Sequence, residues 1–280
     1  MQERTRRLRQ YYDTNSRWMM RFGQGRGEAA IHRPVYLQRG GSRRQALHTV
    51  DRLVAEALQP GRYRETGAGH LLDLGCGVGG SAIWLTDNYP VAVTGVTLSP
   101  VQLRSAEKLS ELRDRSRRCR FLLADFTSLP PFKGITGAYA IESFSHGHDA
   151  RAFFSGVFDL LPAGGRLVLC DDFLTTAPDS PPQGRERWVR RLREGWRLDS
   201  LMSGEQVVRT AAGEGFRLIR KRNLTPYLRP LPRSLSLLQL LLGTAAKRSA
   251  WGSSLYGGSA LQICQRHGWS EYLFLVLEKR

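Results

Sequence analysis

The segment "HLLDLGCGVGG", His70 to Gly80, sets Gly75, Gly77 and Gly80 at G-x-G-x-x-G spacing after an apolar run, with Asp73 in front of them. Glycines at a strand-to-helix turn let the backbone approach a ligand closely, and the start of the following helix favours negative charge. A dinucleotide would use such a turn, but its ribose calls for an acid about 20 positions further on. The stretch there, "GVTLSPVQ", offers Thr97, Ser99 and Gln102 and no carboxylate, which argues against NAD. "LLADF" then sets Asp125 and Phe126 at the end of another apolar run. Alone, Asp73 or Asp125 reads equally as a turn carboxylate bonded to local backbone. Together, at the ends of two strands on one sheet edge, they point to a ligand crevice.

A third strand end, "AIESFSHGHD", supplies Glu142, a carboxylate able to take a proton, and His146. His146, His148 and Asp149 resemble part of a metal cluster, but no third or fourth ligand follows at zinc-like spacing. His146 reads either as a site residue or as a packed loop histidine bonded to backbone.

These residues need a scaffold, and the pattern from His70 onward supplies one. Short apolar runs, "HLLDLGC", "VAVTGVTL", "CRFLLADF", "GAYAIESF" and "GRLVLCDDF", alternate with amphipathic stretches, implying parallel βαβ units in a doubly wound α/β sheet. "EQVVRTAAGEGF" predicts a later helix stopped by Gly215, and "RLIRKRNLT" and "EYLFLVLEKR" predict two more strands. Residues 1–65 are Arg-rich and aromatic, with Leu47, Val50, Leu53, Val54 and Leu58 at helical spacing, and read as an amino-terminal helical cap. Residues 66–280 form the second domain. Within it a Pro-rich loop and the Arg/Trp-rich "RERWVRRLREGWRL" interrupt the pattern over about 174–203, as a lid would.

Of 42 basic residues only five are lysine, and the formal charge is +17. Arginine bias from a GC-rich genome accounts for this as well as an anionic partner does, arginine being a planar fork of donors. The four cysteines lack disulfide or metal spacing and read as reduced, buried thiols of a cytoplasmic protein. The charged amino terminus has no apolar signal core, and "LSLLQLLLG" is too short to cross a bilayer. No membrane partner is expected.

The succession D-x-G-x-G-x-G, "TLSPVQ", "LLADF" resembles class I S-adenosylmethionine (SAM) methyltransferases over roughly residues 66–175. That resemblance implies a Rossmann-like, seven-stranded, mostly parallel sheet with helices on both faces, and SAM as cofactor. It implies that Gly75, Cys76 and Gly77 back the amino-acid part of SAM with Asp73 organising it. Asp125 would accept from the adenine amino group, Phe126 would flank the base, and Thr97, Leu98, Ser99 and Ile141 would complete the pocket. The family's acid for the ribose is missing, but "GVTLSPVQ" is similar to small-molecule C-methyltransferases, including sterol, tocopherol and cyclopropane-forming enzymes, whose glutamine contacts the ribose; Gln102 is the candidate.

Within that branch "ESFSH" resembles the E-S-x-x-H segment of enzymes that methylate alkene or aromatic carbon, which implies catalytic roles for Glu142 and His146. "QYYDTNSRWMMRFGQGRGEAAIHRPVY" resembles the amino-terminal segment of terpenoid and geranyl diphosphate methyltransferases. Tyr12, Asn15, Trp18, Phe22, His32, Arg33, Trp196 and Tyr227 are the substrate-binding candidates. Aromatic rings suit a prenyl chain and the carbocation that alkene methylation leaves. A diphosphate would need arginines, from Arg33, Arg39, Arg43, Arg44 or the Arg187 to Arg193 helix, with Mg²⁺ held through its oxygens. The expected activity is SAM-dependent C-methylation of an isoprenoid alkene, a prenyl diphosphate or a prenylated secondary metabolite, with Glu142 removing the proton or the cation cyclising.

O- or N-methylation of another small natural product would keep the cofactor motifs and leave Glu142 dispensable or a simple base. RNA methylation fits the charge, but no RNA-binding motif is appended and "IESF" replaces the N-P-P-Y-type tetrad, so no nucleic-acid partner is expected. "SLSLLQLLLGTAA" carries excess apolar surface and leans the reading to a homo-oligomer.

Overall fold

The apolar runs expected as strands form one seven-stranded sheet in the computed structural model, which describes residues 6, 8–16, 32–38, 40–59, 69–176 and 182–280. The strands are β1 (Gly69–Leu74), β2 (Val91–Thr97), β3 (Cys119–Leu123), β4 (Gly137–Ile141), β5 (Arg166–Leu174), β6 (Phe216–Asn223) and β7 (Ser270–Lys279). Their order is β3-β2-β1-β4-β5-β7-β6, and β7 alone runs against the others. Strand order reverses beside β1, so the crevice of such a sheet opens at the carboxyl ends of β1, β2 and β4.

Period-two alternation sorts the side chains into two cores. Leu71, Tyr139, Tyr272 and Phe274 bury on one face, Leu72, Ala138, Leu273 and Leu275 on the other. Strands covered on both faces read as continuous apolar runs, as β5 and β7 do. On the first face lie α1 (Arg43–Leu47), α2 (Thr49–Leu58), α3 (Gly80–Asn88) and α4 (Pro100–Leu112). Ser42 and Gln45 close a capping box on α1. Val50, Leu53, Val54 and Leu58, read from the sequence as one face of a cap helix, pack α2 into this core.

On the second face lie α5 (Ala150–Leu160) and α7 (Gly204–Gly213). Phe153, Phe154 and Phe173 cluster with Phe144 there, and each fully buried ring contributes about 1.5–3 kcal/mol. The stop expected at Gly215 is present: its φ is +92°, and an added Cβ would meet the Phe158 ring at 2.5 Å.

The segment after β5 carries the expected helix, α6 (Arg185–Trp196), and a third apolar cluster joins it to the carboxyl-terminal α9 (Ala250–Arg266) through Leu192, Leu261 and Cys264. At the α6–α9 crossing a Cβ on Gly195 would lie 2.4 Å from the Gly257 backbone nitrogen, so only glycine permits the contact. On the outer side of α9 lies α8 (Arg233–Ala245). All four cysteines are free thiols and buried. Among the described residues no helix is long and apolar enough to cross a membrane.

Candidate active site

The chain after β1 turns sharply because Gly75, Gly77 and Gly79 take φ of +87°, +55° and +83°, which side chains disfavour. Gly75 and Cys76 donate their N–H groups to the Val96 carbonyl of β2 at 3.0 and 2.9 Å, tying the loop to the sheet. A Cβ on Gly75 would strike Ser143 Cβ at 2.5 Å. The turn delivers its backbone and the start of α3 to a cavity of about 240 Å³.

Of the residues expected at the cofactor, Asp73, Gly75, Cys76, Gly77, Thr97, Leu98, Gln102, Asp125, Phe126 and Ile141 line that cavity. Asp73 is buried and accepts from the Tyr139 hydroxyl at 3.0 Å; burial pushes its pKa up to about 7. Gln102 accepts from Thr97 Oγ1 at 2.7 Å and donates to Ser16 Oγ at 2.9 Å, so its amide is engaged on both ends. Asp125 uses Oδ1 to cap its own turn, accepting from Thr127 N and Oγ1 at 2.8 and 2.7 Å. The turn-cap reading of Asp125 is thus present in a residue that also lines the cavity. Ser99 does not line the cavity. Its hydroxyl caps α4 by accepting from Gln102 N at 3.1 Å and donates to Asp13, so hydrogen bonding removes it from the pocket.

Glu142 and His146 face the same cavity. Glu142 takes φ of +50°, a conformation costly for a side-chain-bearing residue and concentrated at functional sites. Its Oε1 accepts from the Arg33 backbone N at 2.9 Å, from Arg33 Nε at 3.3 Å and from the Tyr272 hydroxyl at 2.9 Å. Burial is the largest single influence and would raise its pKa, but the Arg33 and His32 charges and the hydrogen bonds from Arg33 and Tyr272 together outweigh it and hold Glu142 below the usual carboxylate range. His146 sits in a 3₁₀ turn, Phe144–His146, edge-on to the Tyr12 ring with centroids 5.3 Å apart. Burial pulls its pKa down to about 4, and its Nδ1 is buried without a hydrogen-bond partner among the described residues.

The helical segment 8–16 contributes Tyr11, Tyr12, Asn15 and Ser16 to the cavity, and α6 contributes Trp196, whose Nε1 donates to the Ser254 carbonyl of α9 at 2.9 Å. Of the substrate-binding candidates, Tyr12, Asn15, His32 and Trp196 line this cavity. His32 is buried; desolvation opposes its charge, yet the Asp51 carboxylate 3.6 Å away raises its pKa to about 9. Asp51 also pairs with His48 Nδ1 at 2.9 Å, and His48 stacks on Trp84.

Other expectations require correction. Arg33 does not line the cavity: its Nη2 pairs with Asp172 Oδ2 at 2.6 Å and its Nε with Glu142, so its charge is spent inside the protein rather than on substrate. Tyr227 lies in a 3₁₀ turn, Thr225–Tyr227, on the periphery of the first core, under Arg222 at 5.5 Å. No arginine or lysine lines the cavity among the described residues. Arg43 and Arg44 on α1, and Arg187, Arg190 and Arg193 on α6, are exposed. Trp18, Phe22 and Arg39 fall outside the described residues.

The sequence reading overlooked Asp171, Asp172 and Asp199, which also line the cavity. Asp171 accepts from Ser145 N at 3.1 Å and Asp172 N at 2.7 Å, and burial, with Asp172 alongside, raises its pKa to about 7. The place of Asp171 and Asp172 toward the carboxyl end of β5, the sheet edge where ligands bind, was the available signal.

A switch-point cavity built from the glycine turn after β1 and the ends of β2, β3 and β4 defines a class I SAM-dependent methyltransferase. Residues 55–233 match the mycolic acid cyclopropane synthetase family, and the chain belongs to it. It is a methyltransferase that uses SAM, within a branch that includes C-methyltransferases. An O-methyltransferase of Pyrenophora dematioidea is 30% identical over 234 residues, 82% of this chain and 81% of that protein. A 24-methylenesterol C-methyltransferase 2 of Oryza sativa subsp. japonica is 27% identical over 191 residues, 66% of this chain and 50% of that protein. A geranyl diphosphate methyltransferase solved in complex with GPP and sinefungin shares the fold, with a TM-score of 0.76 over 99% of this chain and 100% of that one at 18% identity.

Proposed function

We propose that the protein transfers the SAM methyl group to a carbon of an isoprenoid-type alkene in a small molecule that carries no diphosphate. The observation that carries this reading is the charge of the cavity wall. Among the described residues six carboxyl groups line it, Asp73, Asp125, Glu142, Asp171, Asp172 and Asp199, while the one lining cation, His32, is paired with Asp51 and no arginine or lysine lines it. Such a wall repels a diphosphate and favours a substrate that becomes cationic. Mg²⁺, expected only through a diphosphate, then has no part.

The residues present fit SAM. The positive-φ turn at Gly75 and Gly77 presents bare backbone to the cavity, the start of α3 offers backbone N–H groups to a carboxylate, and Asp73 offers a carboxylate to an ammonium. Gln102 serves the ribose by exchanging its Ser16 partner for a hydroxyl. Asp125 serves the adenine amino group through Oδ2, and Phe126 flanks the base. When bound, the cofactor supplies an electrophilic methyl on a sulfonium centre.

The chain aligns the alkene with that methyl, since an alkene is a weak nucleophile whose rate depends on orientation. A carbon–carbon bond forms from the alkene π pair as the sulfur–carbon bond breaks, leaving a carbocation and S-adenosylhomocysteine. Tyr11, Tyr12 and Trp196 offer ring faces or edges around it, each face contributing on the order of 2 kcal/mol when dry. Glu142, kept ionised by Arg33, stabilises the cation and receives its proton. A depressed pKa does not prevent this, because a carbocation is a far stronger acid than any carboxyl group.

A second reading, methylation of a hydroxyl oxygen, is favoured by His146. A neutral imidazole at the cavity, its Nδ1 without a hydrogen-bond partner among the described residues, can take the proton of a phenol or alcohol as its oxygen is methylated. One experiment separates the readings: incubation with methyl-labelled SAM and neutral prenylated phenols and indoles, sterol-like alkenes, and geranyl diphosphate with and without Mg²⁺. Methyl on carbon of a neutral alkene is expected. Methyl on oxygen selects the second reading, and Mg²⁺-dependent turnover of geranyl diphosphate rejects the assignment of an acceptor lacking diphosphate.

A further inference from the structure

Helix α8 is inverted relative to an ordinary surface helix. Its buried positions are Ser236 and Gly243, the latter so close to α9 that a Cβ would lie 2.5 Å from the Tyr256 backbone nitrogen. Its outward side carries Leu235, Leu237, Leu238, Leu241 and Leu242, exposed by 49, 57, 50, 60 and 42%. At 100° per residue all five fall on the side opposite Ser236 and Gly243, forming one apolar face turned away from the protein. Contiguous exposed apolar surface of this kind marks an interaction site.

Charge selects the partner. From Gly215 to Ser270 the chain holds nine lysines and arginines and no aspartate or glutamate. Arg233 at the start of α8 and Lys247 and Arg248 just beyond its end are exposed and bracket the leucines. Two copies meeting through this face would bring like charges together, whereas an anionic lipid surface offers hydrocarbon to the leucines and headgroup charge to the cations. At 13 residues the helix is about 20 Å long and lies along a surface rather than across it.

We propose that α8 is an interfacial helix that docks the protein on an anionic lipid surface. This departs from the absence of a membrane partner expected from the sequence, although a membrane surface is among the anionic partners that the +17 charge suits. Docking through α8 sets the bilayer on the outer side of that helix, with α9, whose Ser254 lines the cavity, directly behind it. The contact depends on the leucines and their flanking charges and holds whichever acceptor is methylated.

The test is co-sedimentation of the full chain with phosphatidylcholine vesicles and with equimolar phosphatidylcholine and phosphatidylglycerol vesicles. Binding to the anionic vesicles alone is expected. The double variant Leu238→Gln, Leu241→Gln, whose side chains are exposed, should melt at the wild-type temperature and partition at least roughly tenfold more weakly. Three outcomes overturn the proposal: no sedimentation with anionic vesicles, binding unchanged in the leucine variant, or a vesicle-free dimer that the leucine variant dissociates.

Discussion

The Tyr272 hydroxyl donates to Glu142 Oε1 at 2.9 Å, joining the antiparallel β7 strand to the end of β4 across 130 residues of sequence. Arg33 reinforces the bond from a third direction, with its guanidinium 4.2 Å over the Tyr272 ring. Three donors thus converge on one carboxylate oxygen, while Oε2 has no donor among the described residues. A carboxylate held this way points its second oxygen with little freedom, and the geometry predicts how the reaction responds when a tether is cut.

Glu142→Gln should lower kcat by at least about a hundredfold, within the range for loss of a general base or a charge at the reacting centre, with SAM affinity retained. Tyr272→Phe removes one tether and leaves the charge, so kcat should fall only about three- to tenfold. Because Glu142 is held below the usual carboxylate range, wild-type activity should persist into mildly acidic buffer, and the acidic limb should move to higher pH in Tyr272→Phe. Rate profiles from pH 4 to 8, with SAM binding by calorimetry, check both statements. Near-normal turnover by the Glu142→Gln variant would remove Glu142 from the mechanism.

His146, pulled down to about 4 by burial, should stay neutral throughout the physiological range. Its ring carbon proton resonance should therefore show no titration between pH 5.5 and 8, unlike that of an ordinary histidine near 6.5. His146→Asn should abolish methylation of a hydroxyl acceptor and change alkene methylation less than Glu142→Gln does. A titration centred near 6.5 would place His146 in contact with water and end its role as a desolvated acceptor.

The buried His32–Asp51 pair links stability to pH. His32 has a folded pKa of about 9 against about 6.5 unfolded, so its stabilisation is complete below 6.5 and disappears as pH rises through 9. Asp73 and Asp171, raised to about 7, lose their contribution over lower pH, and the buried thiols act only above about 8.5. Between pH 7 and 8.5 His32 dominates, and unfolding free energy should fall by about 2 kcal/mol. Urea titrations of the cofactor-free protein at the two pH values test this; His32→Gln should flatten the difference. Asp51→Asn should cost about 3–5 kcal/mol, the penalty of leaving a buried charge unpaired.

What the sequence disclosed depended on whether the cause was local. "GCGVGG" announces its turn because positive φ is a property of the residues themselves, and the alternation of Leu71 with Leu72 announces two covered faces. Asp73 and Asp125 were legible because strand ends are countable. The fate of Arg33 was not, since its partners lie 109 and 139 residues away and no spacing records them. Asp171 and Asp172 were hidden inside an apolar run, and "AWGSSLYGGSALQICQR" escaped as a helix because its glycines argue for a loop. There the tertiary contact overrides propensity: the same glycines that weaken the helix let it lie against α6.

That contact gives the last prediction. Gly195→Ala puts a methyl group where the Gly257 backbone stands, and backbone cannot yield as a flexible side chain would, so α6 must separate from α9. Overpacking of this kind costs about 1–3 kcal/mol. The displacement falls on Trp196 and Ser254, the lining residues that α6 and α9 supply, whereas Gly75 and Asp73 come from β1 and the turn after it. SAM affinity should therefore change less than twofold, while the acceptor KM rises about tenfold or more and kcat falls with it, as misalignment requires. Equal losses of SAM affinity and acceptor KM would mean that the α6–α9 crossing supports the whole cavity rather than its acceptor wall.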